Sequence, residues 1–182
     1  MNLETERLII RNFRKSDVAD FVEYRSDPEV CKFQGYKPFT QEMGRGYIES
    51  LKDGTFGETG KWDQLGVELK SEKKLIGDIG LKPETGDSRT IEFGVSFSTK
   101  YQRKGLAKEA LTKVFDHLFA EKNIHRIIGI TDIKNTSCIY LLESMSFRRE
   151  GEFKQSFWDE EKSVWRDEFL YAMLEKDWKS KE

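Results

Sequence analysis

Residues 102–107, QRKGLA, join the end of a predicted strand to the first turn of a long amphipathic helix, and that junction is where this chain is best placed to hold an anion. A helix N-terminus presents unpaired backbone N–H groups and about half a positive charge, which suits a pyrophosphate. Gly105 removes the Cβ that would stand between those amides and the phosphate oxygens, and Arg103, Lys104 and Lys108 add local cations. The string alone also fits an ordinary strand-to-helix turn with a solvated basic rim, and it is neither GxxxxGK[ST] nor GxGxxG. Glu92 is the strongest carboxylate candidate for a base, since it sits beside Gly94 on the face of a strand opposite Ile91, Phe93, Val95 and Phe97. A solvated strand carboxylate or a salt bridge explains it equally well. Cys31 and Cys138 are 107 residues apart with no CxxC, and His117 and His125 are the only histidines. No disulfide framework and no metal site is expected, a reducing cytoplasm is the simplest compartment, and both histidines read as structural or exposed.

Periodicity assigns the elements that must position these groups. Residues 6–13 read as a strand, followed by a helix capped by Ser16 or Asp17 and broken at Asp27 and Pro28. Thr40 caps a second helix carrying Met43, Tyr47, Ile48 and Leu51, although Gly44 and Gly46 weaken it. Residues 53–61 form a glycine-rich loop. Residues 62–70, 74–82 and 90–98 are three successive antiparallel strands, separated by the turns SEKK and ETGDSR. Ala107, Leu111, Val114, Phe115 and Leu118 make one helical face ending near residue 121. Residues 125–131 are a short buried strand, and Asn135 caps a helix with Cys138, Leu141, Leu142 and Met145. Strands near 147–154 and 164–174, flanking the polar loop QSFWDEEKS, close the chain as a hairpin.

Composition bounds the rest. The 182 residues are 37% hydrophobic and 35% charged, the profile of a folded domain with a heavily solvated surface, and that length suits one core rather than two. A net charge of -2 supplies no bulk positive field, so neither nucleic acid nor an anionic membrane is an expected partner. Glu4, Glu6 and Arg7 interrupt the N-terminus before an apolar run forms, so no secretion signal is expected, and no stretch approaches the 18 apolar residues of a span.

Taken in order, TERLIIR at the start, LIGDIGL at 75–81, IEFGVSF at 91–97, YQRKGLAKEAL at 101–111 and NTSCIYLLESMSFRREG at 135–151 resemble the GNAT superfamily of N-acetyltransferases. The likeness is closest to its RimJ/RimL-type branch, which includes acetyltransferases of ribosomal-protein N-termini. QRKGLA matches the acetyl-CoA pyrophosphate motif [QR]xxGx[GA]. The resemblance implies a single domain over residues 1–182. Its fold would be mixed α/β, with a central, largely antiparallel twisted sheet of about seven strands, splayed in the middle near residue 97, and helices on both faces.

It also implies roles. The amides of Gln102, Arg103, Lys104, Gly105, Leu106 and Ala107 would hold the pyrophosphate of acetyl-CoA, and the backbone of Val95, Ser96 and Phe97 would lie beside the pantetheine arm. Asn135 would contact the pantetheine as well as cap its helix. Cys138, a catalytic candidate, replaces the branch's serine with a weaker hydrogen-bond donor, and either contacts the CoA sulfur or packs as a small apolar group. The superfamily's tyrosine acid, seven residues after the asparagine, is here Leu142, and Tyr140 lies about 200° around the helix from it. Ser144 and Ser146 replace the branch's lysine and glycine. The expected acceptor is a primary amine, first a peptide or protein N-terminus and otherwise a polyamine or amine antibiotic, attacking the thioester directly. A non-catalytic acyl-CoA-binding module is the alternative from another class. Trp62 and Trp158 adjoin loops that could line an acceptor pocket, where Asp159, Glu160 and Glu161 would favour a cation, and a solvated turn explains that acidic run as well. The tryptophans are otherwise core or interface material, with a homodimer as the simplest self-association.

Overall fold

The computed structural model describes residues 1–51 and 57–179, so residues 53–56 of the predicted glycine-rich loop lie outside the described residues. The expected mixed α/β architecture is present, built on a mostly antiparallel open sheet. That sheet has eight strands rather than about seven, in the order β1-β2-β3-β4-β5-β6-β8-β7. The extra strand is β1 (Asn2–Glu4), which pairs with β2 (Leu8–Arg11) where the sequence suggested one strand over 6–13. Thr5, Glu6 and Arg7 form the turn between them.

A 3-10 turn, Lys15–Asp17, leads into α1 (Val18–Arg25), and Asp27 caps the short α2 (Pro28–Cys31) by accepting from the Glu29 amide at 3.0 Å. Thr40 caps α3 (Gln41–Ser50) as expected, accepting from the Met43 amide at 3.2 Å. Gly44 in α3 has a packing reason. A Cβ there would lie 2.3 Å from Val22 Cγ2, so the residue that costs helix propensity is the one that lets α3 cross α1 closely.

Strands β3 (Asp63–Leu69), β4 (Lys74–Pro83) and β5 (Thr90–Phe97) form the expected meander. Helix α4 (Leu106–Glu121) then carries the chain over the sheet to β6 (Arg126–Asp132), which pairs parallel to β5, making a βαβ unit inside an otherwise antiparallel sheet. After α5 (Thr136–Ser144), β7 (Arg148–Asp159) and β8 (Val164–Leu174) close the fold, followed by α6 (Glu175–Lys179). The hairpin is longer than expected. The polarity of residues 155–159 predicts a loop, yet Phe157, Trp158 and Asp159 pair with Arg166, Trp165 and Val164 beyond an irregularity where Gln155 takes φ 49°.

Helices cover both faces. On one, α4 and α5 bury a core that includes Ile79, Leu81, Ile91, Leu111, Val114 and Phe115, all fully buried, and Trp178 of α6 packs on Phe115 and Phe119. On the other, α1 and α3 pack Phe21, Tyr24 and Ile48 over Leu75. No described helix is long and apolar enough to cross a membrane.

Candidate active site

The decisive feature for chemistry is where β5 and β6 stop pairing. They are in register only over Thr90–Arg126, Ile91–Ile127 and Glu92–Ile128. Beyond that rung, Phe93–Phe97 stays on β4 while β6 continues along β8, so the sheet opens just after Glu92 rather than near residue 97. A slot between diverging parallel strands exposes backbone groups that an extended amide-bearing chain can pair with, and in α/β folds ligands enter beyond the C-terminal ends of such strands. Both expected CoA-contacting segments follow those ends: residues 102–107 after β5, and Asn135 after β6.

Gly105 takes φ 76°, in the left-handed region, and stands at the N-cap position of α4 with no side-chain cap. The first-turn amides are therefore left for an outside acceptor. Arg103 also has positive φ, 59°, so the loop is a tight double reversal. Gln102 pins it by donating from Nε2 to the Phe97 carbonyl at 2.8 Å. Leu106 is buried in the core, so its contribution to an anion site is its amide alone. Lys104 lies over the Tyr101 ring, and Lys108 donates to the Ser144 carbonyl at 2.8 Å, so of the local cations only Arg103 has no side-chain partner shown among the described residues. A cavity of about 290 Å³ adjoins Lys108, between Thr112, Asp116, Ser144, Ser146 and Trp178.

Sequence reasoning missed the brace under this loop. Arg7 donates from Nη1 to the Lys104 carbonyl at 3.1 Å and from Nε to Glu109 of α4 at 2.6 Å, and Glu109 also accepts from the Arg7 amide and the Thr5 hydroxyl. Burial opposes the Glu109 charge, but these donors outweigh it and hold its carboxyl below the usual range. Arg7 belongs to TERLIIR, and nothing local links it to a residue 97 positions away.

Along the slot, Val95 accepts from Gln34 Nε2 at 3.4 Å and the Ser96 hydroxyl meets Tyr36 at 3.2 Å, which lays residues 34–36 over the diverging half of β5. Glu92 is not free: it is ion-paired with Lys82, directly opposite on β4, and Lys82 also lies 3.5 Å from Glu84. The salt-bridge reading of Glu92 is therefore realised, and a base role has to operate through that pair. Counting outward from ETGDSR pairs Glu92 with Leu81, one residue out of the true register, so the turn by itself does not point to Lys82.

Asn135 caps α5 as expected, accepting from the Cys138 amide at 3.2 Å. Burial raises the Cys138 thiol pKa, outweighing the lowering contact with Thr131, so at neutral pH the side chain is a protonated thiol rather than a nucleophilic thiolate. Alkylation of Cys138 by iodoacetamide at pH 7.5, followed by peptide mapping, is accordingly expected to be slower than that of a free thiol and to accelerate as pH rises. Leu142 is 1% exposed, and a Cβ on Gly129 would reach its Cδ2 at 3.3 Å, so the tyrosine position of the superfamily faces the core beneath the slot. Tyr140 is 75% exposed and does not replace it.

The acidic run divides. Asp159 is buried and paired with Arg166, which also reaches Asp132 at 3.2 Å and the Lys32 carbonyl at 3.1 Å, so Asp159 ties the hairpin to residue 32 and to β6 instead of offering an open carboxylate. Trp158 and Trp165 pack on each other, 5.3 Å between centroids, and remain exposed. His117 faces Glu121 at 3.1 Å on α4, and His125 donates its amide to the Arg89 carbonyl, both away from the slot.

The acetyltransferase (GNAT) domain family matches residues 7–148. The chain belongs to the GNAT acetyltransferase family. An uncharacterized N-acetyltransferase of Bacillus subtilis, YnaD, is 34% identical over 98% of this chain and 99% of its own length. The crystal structure of a GNAT-family acetyltransferase from Bacillus anthracis superposes with a TM-score of 0.85 at 34% identity, covering 97% of this chain and 99% of that one. The ribosomal protein uS5-alanine N-acetyltransferase of Escherichia coli is 26% identical over 98% of this chain and 93% of its own length. This GNAT protein is thus an N-acetyltransferase of a family that uses acetyl-CoA as cosubstrate.

Proposed function

We propose that this acetyltransferase is of RimJ/RimL type, a single domain over residues 1–182, and transfers the acetyl group of acetyl-CoA to a peptide or protein N-terminal α-amine by direct attack on the thioester. The observation that carries the reading is the opening of the sheet immediately beyond Glu92, with the left-handed Gly105 loop at the end of the same strand. The pyrophosphate would rest on the amides of residues 102–107, with Arg103, which has no partner shown among the described residues, as its cation. The pantetheine would run along Val95–Phe97 toward Asn135, which places the thioester near the apex of the slot. Cys138 is a protonated thiol that packs against the core, and its raised pKa makes it a weaker acid than the CoA thiol, so its role would be at most a hydrogen bond to the leaving thiolate. That thiolate is a tolerable leaving group even without one, if the free-cysteine pKa of about 8.5 is a guide.

Energetics favour the α-amine. An amine of pKa near 8 costs about 1 kcal/mol to deprotonate at pH 7, whereas a lysine amine near 10.4 costs about 4.6 kcal/mol. A site whose candidate base, Glu92, is shared with Lys82 suits the cheaper proton. The full-length likeness to the uS5-alanine enzyme supports the same acceptor class. Screening N-terminal peptides, polyamines and aminoglycosides for CoA release tests it. Release with peptides is the expected result, release only with small amines overturns the acceptor, and CoA binding with no release from any amine favours a binding module.

The cofactor half has its own test. Gly105→Val is expected to weaken CoA binding at least tenfold, about 1.4 kcal/mol, by calorimetry. An L-residue pays about 1–2 kcal/mol for the left-handed conformation, and a β-branched one is the least suited to it. The nearest atom a Cβ would meet is Arg7 Nη2, at 3.6 Å, so thermal unfolding should show a folded variant. Unchanged affinity would remove the loop from the account.

A further inference from the structure

On the sheet face that carries α1, the cross-strand pairs Gly80–Gly94 and Lys82–Glu92 lie side by side on β4 and β5, at the apex of the slot. A Cβ on Gly80 would come within 3.0 Å of a Trp62 ring carbon, and one on Gly94 within 3.8 Å, so the two glycines form a bare backbone seat for the indole. The indole remains 43% exposed. Its ring centroid is 5.2 Å from Lys82 Nζ, which is also ion-paired with Glu92 and 3.5 Å from Glu84. An aromatic face and two carboxylates converging on one ammonium is the chemistry that recognises alkylammonium groups. Here the ammonium belongs to the chain itself.

We infer that Lys82 is a specificity-determining residue: it fills, from within, the seat that a second cationic centre of an acceptor would otherwise take, and so turns the enzyme away from polyamines and toward acceptors with a single reacting ammonium. The inference rests on the amine-acetyltransferase reading above and refines its acceptor class. Discrimination of this kind comes from repulsion of the wrong partner as much as from attraction of the right one. With Lys82 in place, Glu92, Glu84 and Lys82 sum to one negative charge, already engaged. Without it, two carboxylates and an indole face are left open to a cation.

The test compares kcat/KM for spermidine and for an alanine-initiated peptide lacking lysine, in the wild type and in Lys82→Met. Freeing Glu92 from Lys82 also makes it a stronger base, which would help the more basic amine through kcat, so the KM part of the ratio is what reads the seat. The ratio is expected to move at least tenfold toward spermidine, chiefly through KM and less so at high salt, while Lys82→Arg keeps the wild-type ratio. An unmoved ratio, or a Lys82→Arg variant that behaves like Lys82→Met, overturns the inference. Lys82→Gln serves if the methionine variant does not fold. Should the wild type acetylate neither amine, the functional reading fails separately, and calorimetric titration with spermidine still decides the seat. Binding at least tenfold tighter to Lys82→Met than to wild type supports it, and equal binding overturns it.

Discussion

Glu92→Gln is expected to lower kcat by about 10²- to 10⁴-fold at pH 7 while leaving CoA affinity nearly unchanged. The attacking amine must lose its ammonium proton, and Glu92 is the carboxylate on the last rung before the slot, 17% exposed and therefore within reach of a substrate or of one ordered water. Its partner Lys82 keeps the carboxylate oriented, and the transferred proton is shared within that pair before it reaches solvent. The direction with pH follows. As pH rises toward the amine pKa, a growing fraction of acceptor arrives neutral and needs no base, so the deficit of the variant should shrink. A pH–rate profile for both enzymes measures this. Wild-type turnover of Glu92→Gln at pH 7 would show that solvent or another residue accepts the proton, and a deficit constant with pH would show that the glutamate acts by position alone.

Asp78→Ala should cost about 3–5 kcal/mol of stability, read as a fall in the urea midpoint and a drop in Tm on the order of 10 °C. Asp78, 2% exposed on β4, accepts from Arg25 Nη2 at 2.5 Å and Nε at 3.1 Å, and from the Tyr24 hydroxyl at 2.6 Å. Burial works against the Arg25 charge, but Asp78 outweighs it and holds the guanidinium pKa above its ordinary value. Removing the aspartate strands that cation under α1 and leaves the Tyr24 hydroxyl without its acceptor. The exposed Asp87–Arg89 pair has the same chemistry in water, where solvent screens it, and Asp87→Asn should leave the urea midpoint nearly unchanged. Arg25 also stacks on Tyr36, 4.1 Å from its centroid, and Tyr36 touches Ser96 on the diverging half of β5. Asp78→Ala should therefore loosen residues 34–36 over the slot as well, raising KM for acetyl-CoA, whose pantetheine is proposed to run along the same stretch of β5. Stability within 1 kcal/mol of wild type would show that the network is not what anchors α1.

The features legible in the sequence are those decided within a few residues. The caps at Thr40 and Asn135 form because each side chain reaches an amide three positions on, and both are present. The change of period after Tyr101 places Gly105 between strand and helix, and the backbone there is left-handed, as a glycine at that junction allows. Alternation in residues 90–98 separates Glu92 from the apolar face by the pleat alone. Tertiary structure decided what depends on pairing between distant segments. Whether Glu92 meets solvent or Lys82 depends on hairpin register, and where β5 leaves β6 depends on the outer neighbours, β4 and β8, that each strand stays paired with as the two diverge. Arg7 reaches the 102–107 loop only because β1 and β2 end beside α4, and Asp159 is a buried tie instead of a solvated turn because β7 and β8 extend to meet Arg166. Periodicity reports which way a side chain points, while its partner is fixed by register and by how the sheet packs, and neither is encoded in any local window.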